Sequence, residues 1–249
     1  MFDKVSRAGF FLVRERLGIE PKIIRLIKAL YSNPQFCVEI DGETSQWHTQ
    51  SAGIRQGCPL SPYLFIALMT VLFKDVHRLH SPNTSSTRVT GATFDEVLYA
   101  DDTILISESE AAVERALAAI EIEGAKYGMK LNKAKCELLA FGRVRPIKFR
   151  DGTKMKPKEE VRYLGCSLNN KADSNRELQK RIADCMLVLN KLHVFWRHGV
   201  ASAEKKLEVY NAVIKTKLIY GLESMQLTQA AARKLDTFQL KRLRKIQKL

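Results

Sequence analysis

Cysteines that could pair, apolar runs long enough for a bilayer, and acids enough to balance the bases are all missing from this sequence. Its five cysteines (Cys37, Cys58, Cys136, Cys166 and Cys185) are odd in number, far apart and never in Cys-x-x-Cys register. No histidine stands at zinc-ligand spacing either, so the default is a reducing compartment and no structural zinc. The longest apolar run, Leu64 to Phe73, has about ten residues against the roughly 20 that cross a bilayer, and it reads as a buried helix. The first turns mix acids and bases, which argues against a secretory signal. The expectation is an intracellular protein without a membrane partner, in nucleus or cytoplasm. Glycine (13) and proline (7) are modest in 249 residues that are 45% hydrophobic and 27% charged. Disordered, collagen-like and mini-protein classes are thereby excluded.

The shortage of acid is uneven. Lys and Arg number 41 against 27 Asp and Glu, giving +14 and a pI near 9.6. Residues 1–129 carry a net −3 and residues 130–249 a net +17. A polyanionic partner is the first inference, and two roles within one chain the second.

Periodicity predicts a helix over Ser6 to Leu17 and another from Pro21 to Leu30. Phe36 to Ile40, Asp41-Gly42 and Trp47 to Gln50 form a hairpin pattern. The stretch Gly53-Ile54-Arg55-Gln56-Gly57-Cys58-Pro59-Leu60-Ser61-Pro62 is a rigid loop leading into a helix over Tyr63 to Leu79, followed by a polar loop at Ser81 to Thr87. Phe94 to Tyr99 and Thr103 to Ser107 read as a second hairpin, with Ala100-Asp101-Asp102 at its tip. A helix over Glu108 to Tyr127, strands over Cys136 to Phe141 and Val161 to Leu168, and helices near 173–198, 203–220 and 228–248 complete the pattern. The fold class is α+β to about residue 168, followed by an all-helical basic region over 169–249.

Tyr99-Ala100-Asp101-Asp102 is the most informative stretch, because apolar strands on either side force two carboxylates together at a tight turn. Such a pair repels unless a cation sits with it, and hard divalent ions with oxygen ligands are the usual answer. Two ions about 4 Å apart can activate a 3′-hydroxyl and stabilise a leaving pyrophosphate. A solvated Asp-Asp turn is the plainer alternative from the dipeptide alone.

Four ordered stretches decide between them: Gly-Ile-Arg-Gln-Gly-Cys-Pro-Leu-Ser-Pro-Tyr-Leu-Phe at 53–65, Tyr-Ala-Asp-Asp at 99–102, Gly-Met-Lys-Leu-Asn-Lys-Ala-Lys at 128–135, and Tyr-Leu-Gly-Cys-Ser-Leu at 163–168. With Phe2-Asp3-Lys4-Val5 and Leu17-Gly18-Ile19 also in place, the whole chain resembles the reverse transcriptases of LINE-type (non-LTR) retrotransposons. The resemblance implies a right-hand polymerase palm, an antiparallel sheet with packed helices and partial fingers, over 1–168, and a helical thumb over 169–249. It implies that Asp101 and Asp102 are catalytic and bind two Mg2+ ions. Arg55, Gln56 and Gly57 would lie under the incoming nucleotide, with Phe2 against the ribose and Lys135 toward the triphosphate. Among Lys130, Lys133 and Lys135 only register selects the last. Tyr163, Leu164 and Gly165 correspond to the primer grip, although as bare sequence they read as a strand. Lys205, Lys206, Lys215, Lys217, Arg242, Arg244 and Lys245 would follow a nucleic-acid backbone without sequence preference, a solvated helix face being the plainer alternative.

The implied substrates are an RNA template, a DNA primer and dNTPs, and the oligomeric state is left open. The family's first palm motif places a metal-binding aspartate six residues before the Asp of Phe-Asp, which would be position −3 here. The expectation is therefore a fragment truncated at both ends, with little or no polymerase activity alone. A non-catalytic nucleic-acid-binding relic and a group II intron maturase-like enzyme are the alternatives.

Overall fold

The computed structural model of the chain describes residues 6, 9, 13, 15–50, 53–55, 57–79, 88–89, 92–93, 96–198 and 200–247. Phe2, Gln56 and most of the helix expected over Ser6 to Leu17 lie outside them. In chain order the elements are α1 (Pro21–Leu30), β1 (Gln35–Phe36), β2 (Glu39–Ile40), β3 (Glu43–Thr44), β4 (His48–Thr49), α2 (Ser61–Leu79), β5 (Arg88–Val89), β6 (Ala92–Thr93), β7 (Glu96–Tyr99), β8 (Asp102–Leu105) and α3 (Glu110–Lys126). There follow β9 (Leu138–Leu139), β10 (Ile147–Lys148), β11 (Lys154–Met155), β12 (Pro157–Lys158), β13 (Glu160–Tyr163), β14 (Cys166–Asn169), α4 (Ser174–Lys191), α5 (His193–His198), α6 (Ala203–Val209), α7 (Thr216–Ile219) and α8 (Gln229–Gln247). A π-helical turn, Tyr210–Lys215, joins α6 to α7. Among the described residues no helix is long and apolar enough to cross a membrane.

Two compact units result: Met1–Cys136 with Arg145–Lys156, and Glu137–Val144 with Pro157–Leu249. In the first, α2 and α3 pack against each other. Leu64, Leu68 and Leu72 recur every fourth residue on the buried side of α2, joined by Phe65, Met69 and Val76. From α3 comes Ala119, a small side chain in the same cluster, and Ala112 and Ala116 of α3 are buried too. Ser109 caps α3 by accepting the Ala112 amide, and the helix stops at Tyr127 before Gly128, whose φ of +75° suits a glycine.

Beneath this core Arg16 forks onto Asp75, 2.5 Å to each carboxylate oxygen, and the Tyr127 hydroxyl donates to the same carboxylate at 2.8 Å. The guanidinium holds the Asp75 carboxyl below the usual carboxylate range, while burial pushes the Tyr127 phenol up. Since the folded-state pKa is depressed, this stabilisation is complete above about pH 4, where an unfolded Asp ionises, and is lost as pH falls through the lower folded value. Asp75→Asn is expected to lower stability at pH 7 by roughly 2–3 kcal/mol, with the gap to wild type closing at lower pH in urea titrations.

The hairpin at 36–50 forms as two ladders. β2 pairs with β3 around Asp41-Gly42, both at positive φ (52° and 84°), and β1 pairs with β4 further out. The expected antiparallel sheet differs in detail: among the described residues the strands join two by two into seven ribbons, and β9 with β12 is a parallel pair. The predicted strand over Cys136 to Phe141 contracts to Leu138–Leu139. The single strand predicted over Val161 to Leu168 folds back on itself as β13 and β14, because Leu164 and Gly165 both take positive φ (47° and 81°).

In the second unit Asp173 caps α4 through the Asn175 amide, and Ser202 caps α6 through the Lys205 amide. Cys185 and Leu189 of α4 bury against Tyr210 and Ile214 of the π-helical turn, Leu218 of α7 and Phe238 of α8. The β13–β14 hairpin belongs to this unit.

Candidate active site

The acidic tip is built by β7 and β8. Tyr99 faces Asp102 in the register, so Ala100 and Asp101 form a two-residue loop, with Ala100 at φ +52°. A left-handed alanine costs about 1–2 kcal/mol, a strain the flanking ladder sustains. Both Asp101 and Asp102 are exposed, as is Tyr99 at 61%. Four carboxylate oxygens on adjacent residues are the hard donors that Mg2+ prefers. Among the described residues no group of three or more His, Cys, Asp or Glu could hold a metal. Two adjacent carboxylates are donors of the kind a hard divalent cation takes, and on their own they would supply only part of its ligands.

The 53–65 segment is anchored at both ends. Ile54 is 1% exposed in the α2 core, and the Ser61 hydroxyl donates to the Arg55 carbonyl at the start of α2. The Arg55 side chain donates to the Leu30 carbonyl at 3.2 Å and lies 5.7 Å from the Tyr31 ring centroid, which ties the loop to the end of α1. Gly57 is exposed at φ +83°, and among the described residues no atom beyond its chain neighbours lies within 4 Å of where a Cβ would stand. Glycine answers here to backbone conformation and leaves open space above it.

Among the three candidate lysines, Lys133 bridges Asp151 (2.8 Å) and Glu121 (3.1 Å) and covers the Phe149 ring. Lys130 and Lys135 are exposed and enter no ion pair among the described residues.

Residues 1–168, which include the acidic tip and the 53–65 segment, match the family described as reverse transcriptase (RNA-dependent DNA polymerase). The chain belongs to that family. It is 26% identical over 262 residues to the RNA-directed DNA polymerase from mobile element jockey of Drosophila funebris, covering 98% of this chain and 27% of that protein. The Drosophila melanogaster jockey polymerase is 24% identical, with 98% and 27% covered. The retrovirus-related Pol polyprotein from type-1 retrotransposable element R2 of Nasonia vitripennis is 24% identical over 68% of this chain and 17% of its own length. The chain thus spans about a quarter of the two jockey polymerases and less of this R2 polyprotein.

In this reverse transcriptase chain the Tyr163-Leu164-Gly165 turn is held by residues that sequence reading missed. Arg181 and Glu177, both buried in α4, pair at 2.7 Å. The other Glu177 oxygen accepts the Ser167 amide of β14 at 3.0 Å, and Arg181 reaches the Cys166 thiol (3.1 Å) and the Lys217 carbonyl (3.3 Å). Its guanidinium lies 5.6 Å from the Tyr220 ring centroid, and the Tyr220 hydroxyl donates to the Leu164 carbonyl at 3.2 Å. Glu177 and Arg181 stand four apart on a helix, a spacing that reads as an ordinary surface pair. Only the tertiary fold reveals their burial.

The basic side chains between Lys205 and Lys245 separate into engaged and exposed. Lys206 is 8% exposed and donates to the Trp196 carbonyl at 3.1 Å, so it serves the fold and presents no charge to a phosphate. Lys205 pairs with Glu208 at 2.6 Å, and Lys217 stands 3.9 Å from Asp184. Lys215, Arg244 and Lys245 are exposed. Arg242 lies over the Phe238 ring at 5.5 Å and, with Arg233, Lys234 and Lys241, rims a groove of about 620 Å³ between α4 and α8.

Proposed function

We propose that this chain is the polymerase portion of a non-LTR mobile-element protein, extending a DNA primer on an RNA template with dNTPs. The observation that carries the reading is the exposed Asp101-Asp102 pair at a strained hairpin tip inside a reverse transcriptase family match. Residues 1–168 act as palm with partial fingers, and 169–249 as thumb. Asp101 and Asp102 hold magnesium, which when bound supplies Lewis acidity and charge neutralisation for attack of the primer 3′-hydroxyl on the α-phosphate. Gly57 and Arg55 lie under the nucleotide, with Gln56 and Phe2 as further contacts, and Lys135 meets the triphosphate. Tyr163, Leu164 and Gly165 hold the primer end. Lys215, Arg242, Arg244 and Lys245, with Lys205 and Lys217 where their carboxylate partners yield, follow the hybrid backbone.

A second reading, hybrid binding without catalysis, is favoured by one observation: among the described residues the acidic tip has no third metal-ligating side chain. Primer extension with oligonucleotide-primed RNA and millimolar magnesium separates the two. Slow, magnesium-dependent incorporation is the expected result. Hybrid binding with no incorporation at any magnesium concentration would establish the second reading, and absence of binding would overturn both.

A further inference from the structure

The Tyr163–Cys166 turn is a two-residue loop with both residues at positive φ, and one of them is Leu164. Leucine in that conformation is strained, so the turn needs support from outside its own ladder. That support comes from a small set of side chains. Tyr220 follows α7, is 57% exposed, and donates its hydroxyl to the Leu164 carbonyl. Its ring also lies against the turn, since a Cβ at Gly165 would stand 3.3 Å from Tyr220 Cε1. The ring's other partner is Arg181, whose charge is met by buried Glu177, and Glu177 in turn holds the Ser167 amide on the next strand of the same hairpin. One ion pair in α4 therefore grips the hairpin twice, at the strand through Glu177 and at the turn through Tyr220. Gly221, directly after Tyr220, takes φ +71° and would place a Cβ 2.8 Å from Cys166 Sγ, so this backbone too lies tight against the hairpin.

We infer that Tyr220, seated on the Arg181–Glu177 pair, is a positioning residue that sets the Leu164–Gly165 turn, so that displacement of α4 or α7 by bound nucleic acid is transmitted to the primer end. The inference rests on the polymerase reading, in which this turn holds that end. A half-exposed phenol is a poor core residue, and a single hydrogen bond to a turn carbonyl adds little to stability. Its placement accounts for turn geometry better than for folding.

The test uses the full chain and an RNA-templated primer carrying 2-aminopurine at its 3′ terminus, comparing wild type with Tyr220→Phe and Gly165→Ala. Tyr220→Phe removes only the hydroxyl, whereas Gly165→Ala displaces the ring and strains the turn. The expected result is hybrid affinity within about twofold of wild type for Tyr220→Phe, with the 3′-terminal fluorescence change reduced at least about threefold in both variants. Faster amide exchange at residues 164–167 in Tyr220→Phe without hybrid should accompany it. A merely structural role would lower melting temperature and leave the terminal signal of bound hybrid unchanged, and that outcome would overturn the inference while sparing the polymerase reading. If wild type binds hybrid with no terminal signal, or binds none, the assignment of this turn to the primer end fails, and the inference with it.

Discussion

Asp101→Ala is expected to lower magnesium-dependent nucleotide incorporation about 10³-fold, since a lost metal ligand removes several kcal/mol of transition-state stabilisation and each 1.36 kcal/mol is tenfold in rate. Asp101 lies exposed in a two-residue loop, so its side chain contributes almost nothing to the fold. Its replacement should change unfolding free energy by no more than about 0.5 kcal/mol. Hybrid affinity measured without magnesium should also hold, because the cations that would meet phosphate lie elsewhere in the sequence. Loss of incorporation with binding and stability preserved is the signature of a chemical role. Equal incorporation by Asp101→Ala and wild type would return the Asp-Asp pair to a solvated turn.

Arg181→Met is expected to destabilise the second unit by about 3–5 kcal/mol, the cost of stranding a buried carboxylate. Glu177 would retain its bond from the Ser167 amide but lose its counter-charge, and the Cys166 thiol and Lys217 carbonyl would lose a shared donor. The cause is the uncompensated charge rather than the net worth of the pair, so Arg181→Met combined with Glu177→Leu should recover much of the loss. Denaturant titrations of both single variants and the double variant measure the coupling. A double variant no more stable than Arg181→Met would show that the guanidinium matters for its hydrogen bonds and packing. Hydrogen exchange should confine the damage to 137–144 and 157–247, leaving the α2–α3 core protected.

What the sequence disclosed, and what it withheld, follows the range of the forces involved. Pro21 at the head of α1, the apolar run within α2 and Asp41-Gly42 are local signals, and each produced its element within a few residues. The acidic tip was legible for the same reason, since apolar runs on both sides of Ala100-Asp101-Asp102 leave a hairpin as the economical solution. Leu164 at positive φ was not, because leucine carries no turn propensity and the hydroxyl that restrains it comes from Tyr220, 56 residues away. Lys206 failed in the opposite direction: in a run of bases it looks like solvated surface, and only the Trp196 carbonyl delivered by α5 turns it inward. The Arg16–Asp75–Tyr127 cluster spans 111 residues and was equally invisible to local pattern.

The inward turn of Lys206 bears on how ionic-strength data would be interpreted. Each phosphate contact releases counterions, and the logarithm of the association constant falls with that of salt concentration at about 0.9 per contact on a B-form duplex. A cation buried against a carbonyl is held away from phosphate, and one bound to a neighbouring carboxylate must first give up that partner. The measured gradient would therefore enumerate accessible guanidinium and ammonium groups alone, and fall short of a tally read from composition.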